Sequence, residues 1–472
     1  MPNDALRTYF DFIMSYAPYF YYLPDSGTVD PEWGRGPTPA AFAIEFLYEA
    51  YDAKEFETEK TSIYNKIVVL ADYLLLIQCN DNLKLAYGGF KSKDDSTYYY
   101  SIDAMRAIPA LLKAYDLTGA VAYYDAAKLA GGTFLYNMQH KPSELGIHDK
   151  YYGGFAQAVT IADLWVPDMW IIDLYSLKAL KSLYTRTGEA KYQTMTSDAL
   201  GFHRSGFENI YLKYSPPPNG DGAWHRTGLP ENLIYDDDFA YALNALYGYE
   251  GWSKSVKEVY DFISAIGACS EYPAYNSAVC WAGYVDVVNR RPACEYYDSV
   301  TSGILYEIRN TLDALAIEQS VKTILQSSDA FMFWGVKFPD YSPVERKKSI
   351  VTVSWLAHLL LNYNPVASAF ARILQTYGEL VTIHTRREVD GTVSYSSNAT
   401  VLAVVNPAQA NEILIEPGYA SNDYVRIYLL SAIAHRDRMT WRNTEYEIGP
   451  VEEVRFRDQL MYHTALCRRL IK

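Results

Sequence analysis

Eight acidic residues stand where turn-rich stretches give way to apolar residues at helical spacing: Asp103, Asp168, Asp173, Asp236, Asp237, Asp238, Glu295 and Asp298. Carboxyl groups are what acid–base chemistry on a glycosidic bond needs, one protonated and its partner ionised. The competing role is structural, because acids at helix N-termini cap free N–H groups and complement the helix dipole. The run at 236–238 fits capping least well, since three crowded carboxylates repel one another unless something binds there. Asp237, Asp238, Asp173 and Glu295 are therefore the leading catalytic candidates. Aromatic residues in the same stretches, Tyr98, Tyr100, Trp165, Trp170, Trp224, Trp281 and Trp334, could line a sugar-binding cleft. Tyr98, Tyr100, Trp224, Trp281 and Trp334 are the ligand-binding candidates, against plain packing of loop on helix. The chain holds 44 Tyr, many at helical spacing where ordinary packing explains them.

Other chemistries have little support. The eight His, among them His148, His203, His225, His358, His384 and His435, show no HExxH or paired-ligand spacing. Cys269, Cys280 and Cys294 share one loop region, where pairing or metal binding is conceivable, but no CxxC is present. Buried reduced thiols are the simpler expectation. A P-loop, a GxGxxG after a strand and a GxSxG elbow are all missing from the sequence. No cofactor and no metal are expected.

These residues need elements to position them. Up to about residue 363 the sequence reads as twelve helices: 4–17, 38–53, 58–79, 101–117, 120–139, 169–186, 189–208, 236–249, 252–268, 296–315, 317–330 and 349–363. Thr38-Pro39 reads as an N-cap followed by Pro at the first helical position, and Pro109 should kink its helix. The connections alternate. Near 118 and 187 they are minimal, whereas 140–168, 209–235 and 269–295 are long. Tyr115-x-x-Thr118-Gly119-x-x-x-Tyr123 recurs as Tyr184-x-x-Thr187-Gly188-x-x-x-Tyr192, 69 residues on. Tyr87-Gly88-Gly89-Phe90 recurs as Tyr152-Gly153-Gly154-Phe155, 65 residues on. Thr-Gly makes a tight stop between antiparallel helices, and a repeated hairpin signals a closed or stacked array.

Six helical hairpins with tight turns at one end and long loops at the other resemble the (α/α)6 toroid of the six-hairpin glycosidase and epimerase superfamily over residues 1–363. A helical-repeat solenoid is the structural alternative. The resemblance implies a ligand site where the long loops meet the inner-helix starts.

The 472 residues carry 42 Lys+Arg and 56 Asp+Glu, a net charge of −14. Residues 365–472 hold 12 of each sign, so the whole imbalance lies before them. Eleven of those 12 basic residues are Arg. At the same place Asn364-Pro365 should end the last helix, and the apolar period changes to two, as in Val381, Ile383 and Thr385. Turns are expected at Asp390-Gly391, Asn406-Pro407, Pro417-Gly418 and Asn422-Asp423. The chain is thus predicted to be multidomain: an all-α (α/α)6 toroid over 1–363, then a small antiparallel β-barrel over 366–472 whose exposed edges would favour self-association.

Within that second part, Tyr377-Gly378-Glu379-Leu380-Val381-Thr382, Asp437-Arg438-Met439-Thr440-Trp441, Thr444-Glu445-Tyr446-Glu447-Ile448 and Ala465-Leu466-Cys467-Arg468-Arg469-Leu470 resemble the small β-barrel head-tail connector proteins of tailed viruses. The resemblance implies a virion structural protein whose barrel forms a homo-oligomeric ring, with portal and tail proteins as partners and DNA only passing through the lumen. Arg436, Arg438, Arg442, Arg468 and Arg469 are the expected assembly interface, and the toroid would be a glycan-binding accessory. The alternative is a carbohydrate-active enzyme (hydrolase, lyase or epimerase) with a β accessory module. Whether the chain is an enzyme is left open. No apolar run approaches the ~20 residues that span a bilayer, and Met1-Pro2-Asn3-Asp4 lacks a secretory leader's pattern. Synthesis in a cytoplasm, without membrane insertion, is the expectation.

Overall fold

The computed structural model describes residues 2–141, 152–166, 175–205, 345–362, 378–389, 392–408, 423–429, 433–456 and 459–470, with short pieces between 233 and 343. The chain divides into two compact units, Met1–Leu312 with Gln319–Asn362, and Asp313–Glu318 with Tyr363–Lys472.

Eight helices are described in the first unit. They are α1 (Pro2–Tyr16), α2 (Pro37–Asp52), α3 (Lys60–Ile77), α4 (Ser101–Thr118), α5 (Val121–Leu129), α6 (Ser176–Thr187), α7 (Ala190–Ser205) and α8 (Ile350–Asn362). A π-helical turn (Ala130–Leu135) and a last α-turn (Tyr136–Met138) prolong α5. Burial separates two classes. α2 buries 12 of 16 residues and α8 buries 11 of 13, so these helices have no solvent face. α3 buries 7 of 18, on the single stripe Ile63, Ile67, Leu70, Leu74 and Ile77. The first class is the inner layer, where α8 packs on α2, α2 on α4 and α4 on α6. Helices α1, α3, α5 and α7 pair with them from outside. α4 continues through Pro109 as one helix.

The repeated motifs do the same work twice. Gly119 and Gly188 cap α4 and α6 in the left-handed conformation, φ 71° and 68°, and their N–H groups donate to Tyr115 and Tyr184 carbonyls at 2.8 Å. At the other end of the hairpins, Gly88 and Gly153 sit at φ 88° and 89°. A Cβ there would lie 2.7 Å from the Leu129 carbonyl oxygen and 2.0 Å from that of Asp198. The side-chain amide of Gln78 donates to the Gly88 and Ala126 carbonyls, and that of Gln139 to the Gly153 and Met195 carbonyls, at 2.9–3.0 Å. Each buried glutamine ties the outer helix it follows to a glycine turn and to the next outer helix.

Short strands decorate this unit: β1 (Tyr21–Leu23), β2 (Thr28–Val29), β3 (Tyr98–Tyr100), β4 (Ala158–Thr160), β5 (Trp165–Val166), β6 (Leu233–Tyr235), β7 (Tyr284–Asp286), β8 (Arg291–Pro292), β9 (Tyr296–Asp298), β10 (Gly335–Lys337), β11 (Ser342–Pro343) and β12 (Lys348–Ser349). They form four antiparallel three-stranded sheets, β12-β1-β2, β3-β4-β5, β6-β7-β8 and β11-β10-β9. The helix expected from 296 is corrected at its start, since Tyr296–Asp298 is strand paired to Gly335–Lys337. Adjacent tyrosines favour a pleated pairing over a first helical turn. The first sheet joins the beginning of the unit to its last helix, with Tyr21 opposite Ser349 and Ile350 N–H donating to the Phe20 carbonyl at 3.1 Å.

The second unit is a closed six-stranded barrel of β13 (Glu379–Val389), β14 (Thr392–Pro407), β15 (Tyr424–Leu429), β16 (Arg438–Trp441), β17 (Thr444–Phe456) and β18 (Gln459–Arg469), in the order β13-β14-β15-β18-β17-β16. Alternating residues Val381, Ile383, Val425, Ile427, Leu429, Met439, Ile448, Ala465 and Cys467 fill its core. The expected exposed edges are corrected, because β13 pairs with β16 and closes the sheet. The expected turn at Asn406-Pro407 is strand, paired with Arg426 and Val425. Pro407 is the terminal residue of β14, where a missing N–H is tolerated.

Candidate functional site

The sheets β12-β1-β2 and β3-β4-β5 lead into the starts of the inner helices α2 and α4 or lie beside them. Gly36 is the N-cap of α2 and Pro37 opens it; Thr38, expected as the cap, lies instead in the first turn. A Cβ on Gly36 would stand 2.2 Å from the Phe20 ring and 2.8 Å from the Ser92 carbonyl oxygen, so the entry into α2 is tightly fixed. Thr38 faces α4. Its hydroxyl donates to Asp103 Oδ1 at 2.8 Å and accepts from Arg106 Nη1 at 3.2 Å. The Arg106 guanidinium stacks over the Phe42 ring at 5.6 Å.

Asp103 was expected either to act or to cap its helix, and the two uses differ in geometry. α4 has no side-chain N-cap, and the Asp103 carboxyl bonds across to α2. The residue is 5% exposed. Burial pushes its carboxyl up to about 7, against the opposing influence of Arg106 and the Thr38 hydroxyl. A carboxyl with that affinity for protons can give or take one at neutral pH.

Tyr98 and Tyr100, on one face of β3, stack at 5.6 Å with 19° between their planes, and Tyr98 is 39% exposed. Burial, then Tyr98 and Asp103, raise the Tyr100 hydroxyl above its ordinary range. Two ligand candidates and one acid candidate thus stand together within six residues. Trp165 pairs with Val159, which pairs with Tyr99, so it occupies the opposite sheet face. Asp298 lies in β9. Asp168, Asp173, Asp236, Asp237, Asp238, Glu295, Trp170, Trp224, Trp281 and Trp334, with Cys269, Cys280 and Cys294, lie outside the described residues. Among the described residues no group of three His, Cys, Asp or Glu is placed to hold a metal ion.

Deeper along the inner helices is a charged network built around the buried Glu45 and His358. Lys178 Nζ lies 3.0 Å from Glu45 Oε2 and 3.0 Å from the Tyr175 hydroxyl. Lys113 Nζ reaches Glu49 at 3.5 Å and Glu45 at 3.9 Å. Glu49 also meets His358 Nδ1 at 3.3 Å and accepts from Asn362 Nδ2 at 3.0 Å. Burial opposes ionisation of Glu45, but Lys178 and Lys113 override it and hold the carboxyl below its ordinary value. Burial likewise opposes Glu49, which His358, Lys113 and Asn362 keep far below that range. Burial lowers His358 and leaves it neutral at pH 7. α2, α4, α6 and α8 each contribute, so the network binds four inner helices together. The sequence held a signal for it: a single acid in Ala40–Leu47 and a single His in Trp355–Leu361, both otherwise apolar runs.

In the barrel, Arg442 forks onto Glu379 with two contacts of 2.8 Å, Arg468 meets Glu447 at 3.0 Å and Arg469 meets Asp423 at 3.7 Å. The Arg438 guanidinium lies 3.9 Å over the Tyr395 ring. Arg436 takes a left-handed φ of 71°, its N–H donating to the Ile448 carbonyl. Four of the five expected interface arginines, Arg438, Arg442, Arg468 and Arg469, therefore have side-chain contacts within their own barrel.

No family model matches the sequence, and no curated protein matches it significantly. Solved structures do match. A sugar epimerase from a ruminal bacterium superposes with a TM-score of 0.53 at 14% identity, covering 77% of this chain and 100% of the other. The cellobiose 2-epimerase of Bacillus thermoamylovorans gives 0.54 at 10% identity over 77% and 98% of the two chains. The first unit has the (α/α)6 toroid fold. An α-amylase from Clostridium perfringens matches as well, at 0.52 and 12% identity over 77% and 98%. These neighbours of the toroid are carbohydrate-active enzymes, and they establish its fold; none of them bears on a viral connector.

Proposed function

We propose that the toroid is a carbohydrate-active enzyme, a glycoside hydrolase, lyase or epimerase, with Asp103 as a general acid or base. The observation that carries this reading is Asp103 itself: buried at the start of an inner helix, holding its proton to about pH 7, and interacting with Tyr100, which stacks on Tyr98. Aromatic faces suit a pyranose ring, and a neutral carboxyl suits protonation of a leaving oxygen. A partner carboxylate is required, and sequence spacing favours Asp168. It follows Asp103 by 65 residues, the shift between the two Tyr-Gly-Gly-Phe segments, and Trp165 follows Tyr100 by the same 65. Asp173, Asp237, Asp238 and Glu295 are the other candidates.

The test is turnover of a panel of disaccharides followed by proton NMR, where hydrolysis, elimination and C2 epimerisation give distinct signals. Asp103→Asn is expected to lower kcat roughly 10²–10⁴-fold with a smaller effect on KM. An active enzyme indifferent to Asp103→Asn would overturn the assignment of Asp103, and no turnover of any sugar would overturn the proposed function. For the barrel we propose an accessory role. The ring-forming connector role expected from sequence would give discrete higher oligomers in mass photometry, and a strict monomer would end it.

A further inference from the structure

Thr38 is joined to both ionisable groups of the candidate site, Asp103 and Arg106, and stands on a different helix from them. From α2 its one hydroxyl proton goes to Asp103 Oδ1 at 2.8 Å, and its oxygen accepts from Arg106 Nη1 at 3.2 Å. Such a hydroxyl is polarised in one direction, because the cation behind it strengthens its donation to the carboxyl in front. Thr38 is itself 6% exposed and lies between Pro37 and Pro39, whose rings restrict the backbone on both sides. The fixed entry at Gly36, closed in by Phe20 and Ser92, removes further freedom. Among the described residues the other groups bearing on Asp103 are Tyr100 from β3, Tyr73 from α3 and Arg106 from its own helix.

We propose that Thr38 is a positioning residue, whose hydroxyl links Arg106 to Asp103, holds that carboxyl in one orientation and stabilises its charged form. The proposal rests on the reading of Asp103 as the acid–base group and adds the device that tunes it. An oriented donor on one carboxyl oxygen leaves the other as the oxygen that exchanges a proton with a ligand.

Infrared difference spectra between pH 5 and pH 9 test this on the full chain without any substrate. The Asp103 carboxyl band is identified as the signal lost in Asp103→Asn. Thr38→Val, which keeps shape and removes the hydroxyl, should raise the midpoint of that band's titration by about one pH unit and shift its C=O stretch upward. Thr38→Ser, which keeps the hydroxyl, should restore both to within about 0.3 unit of wild type. A merely structural Thr38 would lower the melting temperature without moving the band, and that result overturns the proposal. If Thr38→Val does not fold, Thr38→Ala replaces it, with the same shift expected. Should the band move as stated while no sugar is turned over, the proposed function falls and the coupling of Thr38 to Asp103 stands.

Discussion

Asp103 is where stability and the proposed chemistry pull apart. Its folded-state proton affinity lies near 7 against 3.8 for an ordinary aspartate, so between those values the folded chain holds a proton that the unfolded chain has lost. Stability from this group therefore falls as pH rises from about 4 to 7 and is flat beyond, a loss of roughly 4 kcal/mol. Asp103→Asn is expected to remove that slope, melting higher than wild type at pH 8 and no higher at pH 4; calorimetry across the pH range checks it. Destabilising one's own fold to keep a poised carboxyl is the pattern of a functional site. The sequence marked Asp103 by its position alone. It could not separate it from a helix cap, since that difference lies in which atom the carboxyl meets, and Thr38 is 65 residues away.

At the scale of elements the repeat was the most readable feature. Thr-Gly stops and Tyr-Gly-Gly-Phe turns are local devices, specified by residues that touch their near neighbours in sequence. Gln78 and Gln139 escaped notice because their partners Ala126 and Met195 lie 48 and 56 residues on. Gln139→Leu leaves the Gly153 and Met195 carbonyls without their donor and is expected to cost about 2–4 kcal/mol, seen as a lower urea midpoint. Gly36→Ala should cost about 1–3 kcal/mol by crowding the Phe20 ring, with its φ of −156° playing no part. The barrel was legible from the alternation of its strands, but the strand order that closes it was not. Which strand meets β13 depends on the register between Ile383 and Met439, far apart in the chain.

In the whole toroid, charge crosses between the four inner helices. Glu45 and Glu49 are held ionised below the ordinary glutamate value, and His358 is held neutral below the ordinary histidine value. Both kinds of shift give stability that is lost as pH falls, His358 from about 6.5 downward and the glutamates below about 4.5. The toroid is thus expected to loosen in acid, opposite in sign to the Asp103 slope. Glu49→Gln should leave Lys113 and His358 poorly matched, lowering the melting temperature at pH 7 and narrowing its difference from wild type toward pH 3. Closure of the ring adds a demand of another kind. Arg346 reaches Asp25 across 321 residues, and Ile350 reaches Phe20 across a comparable stretch. A ribosome adding about 5–20 residues per second takes roughly 16–64 s to cover that interval. For that time the first helix has been made, and the helix that must cover it has not. The newborn chain waits with its seam open, so a chaperone's best handle is α1, and slowing translation before residue 350 should raise the aggregated fraction.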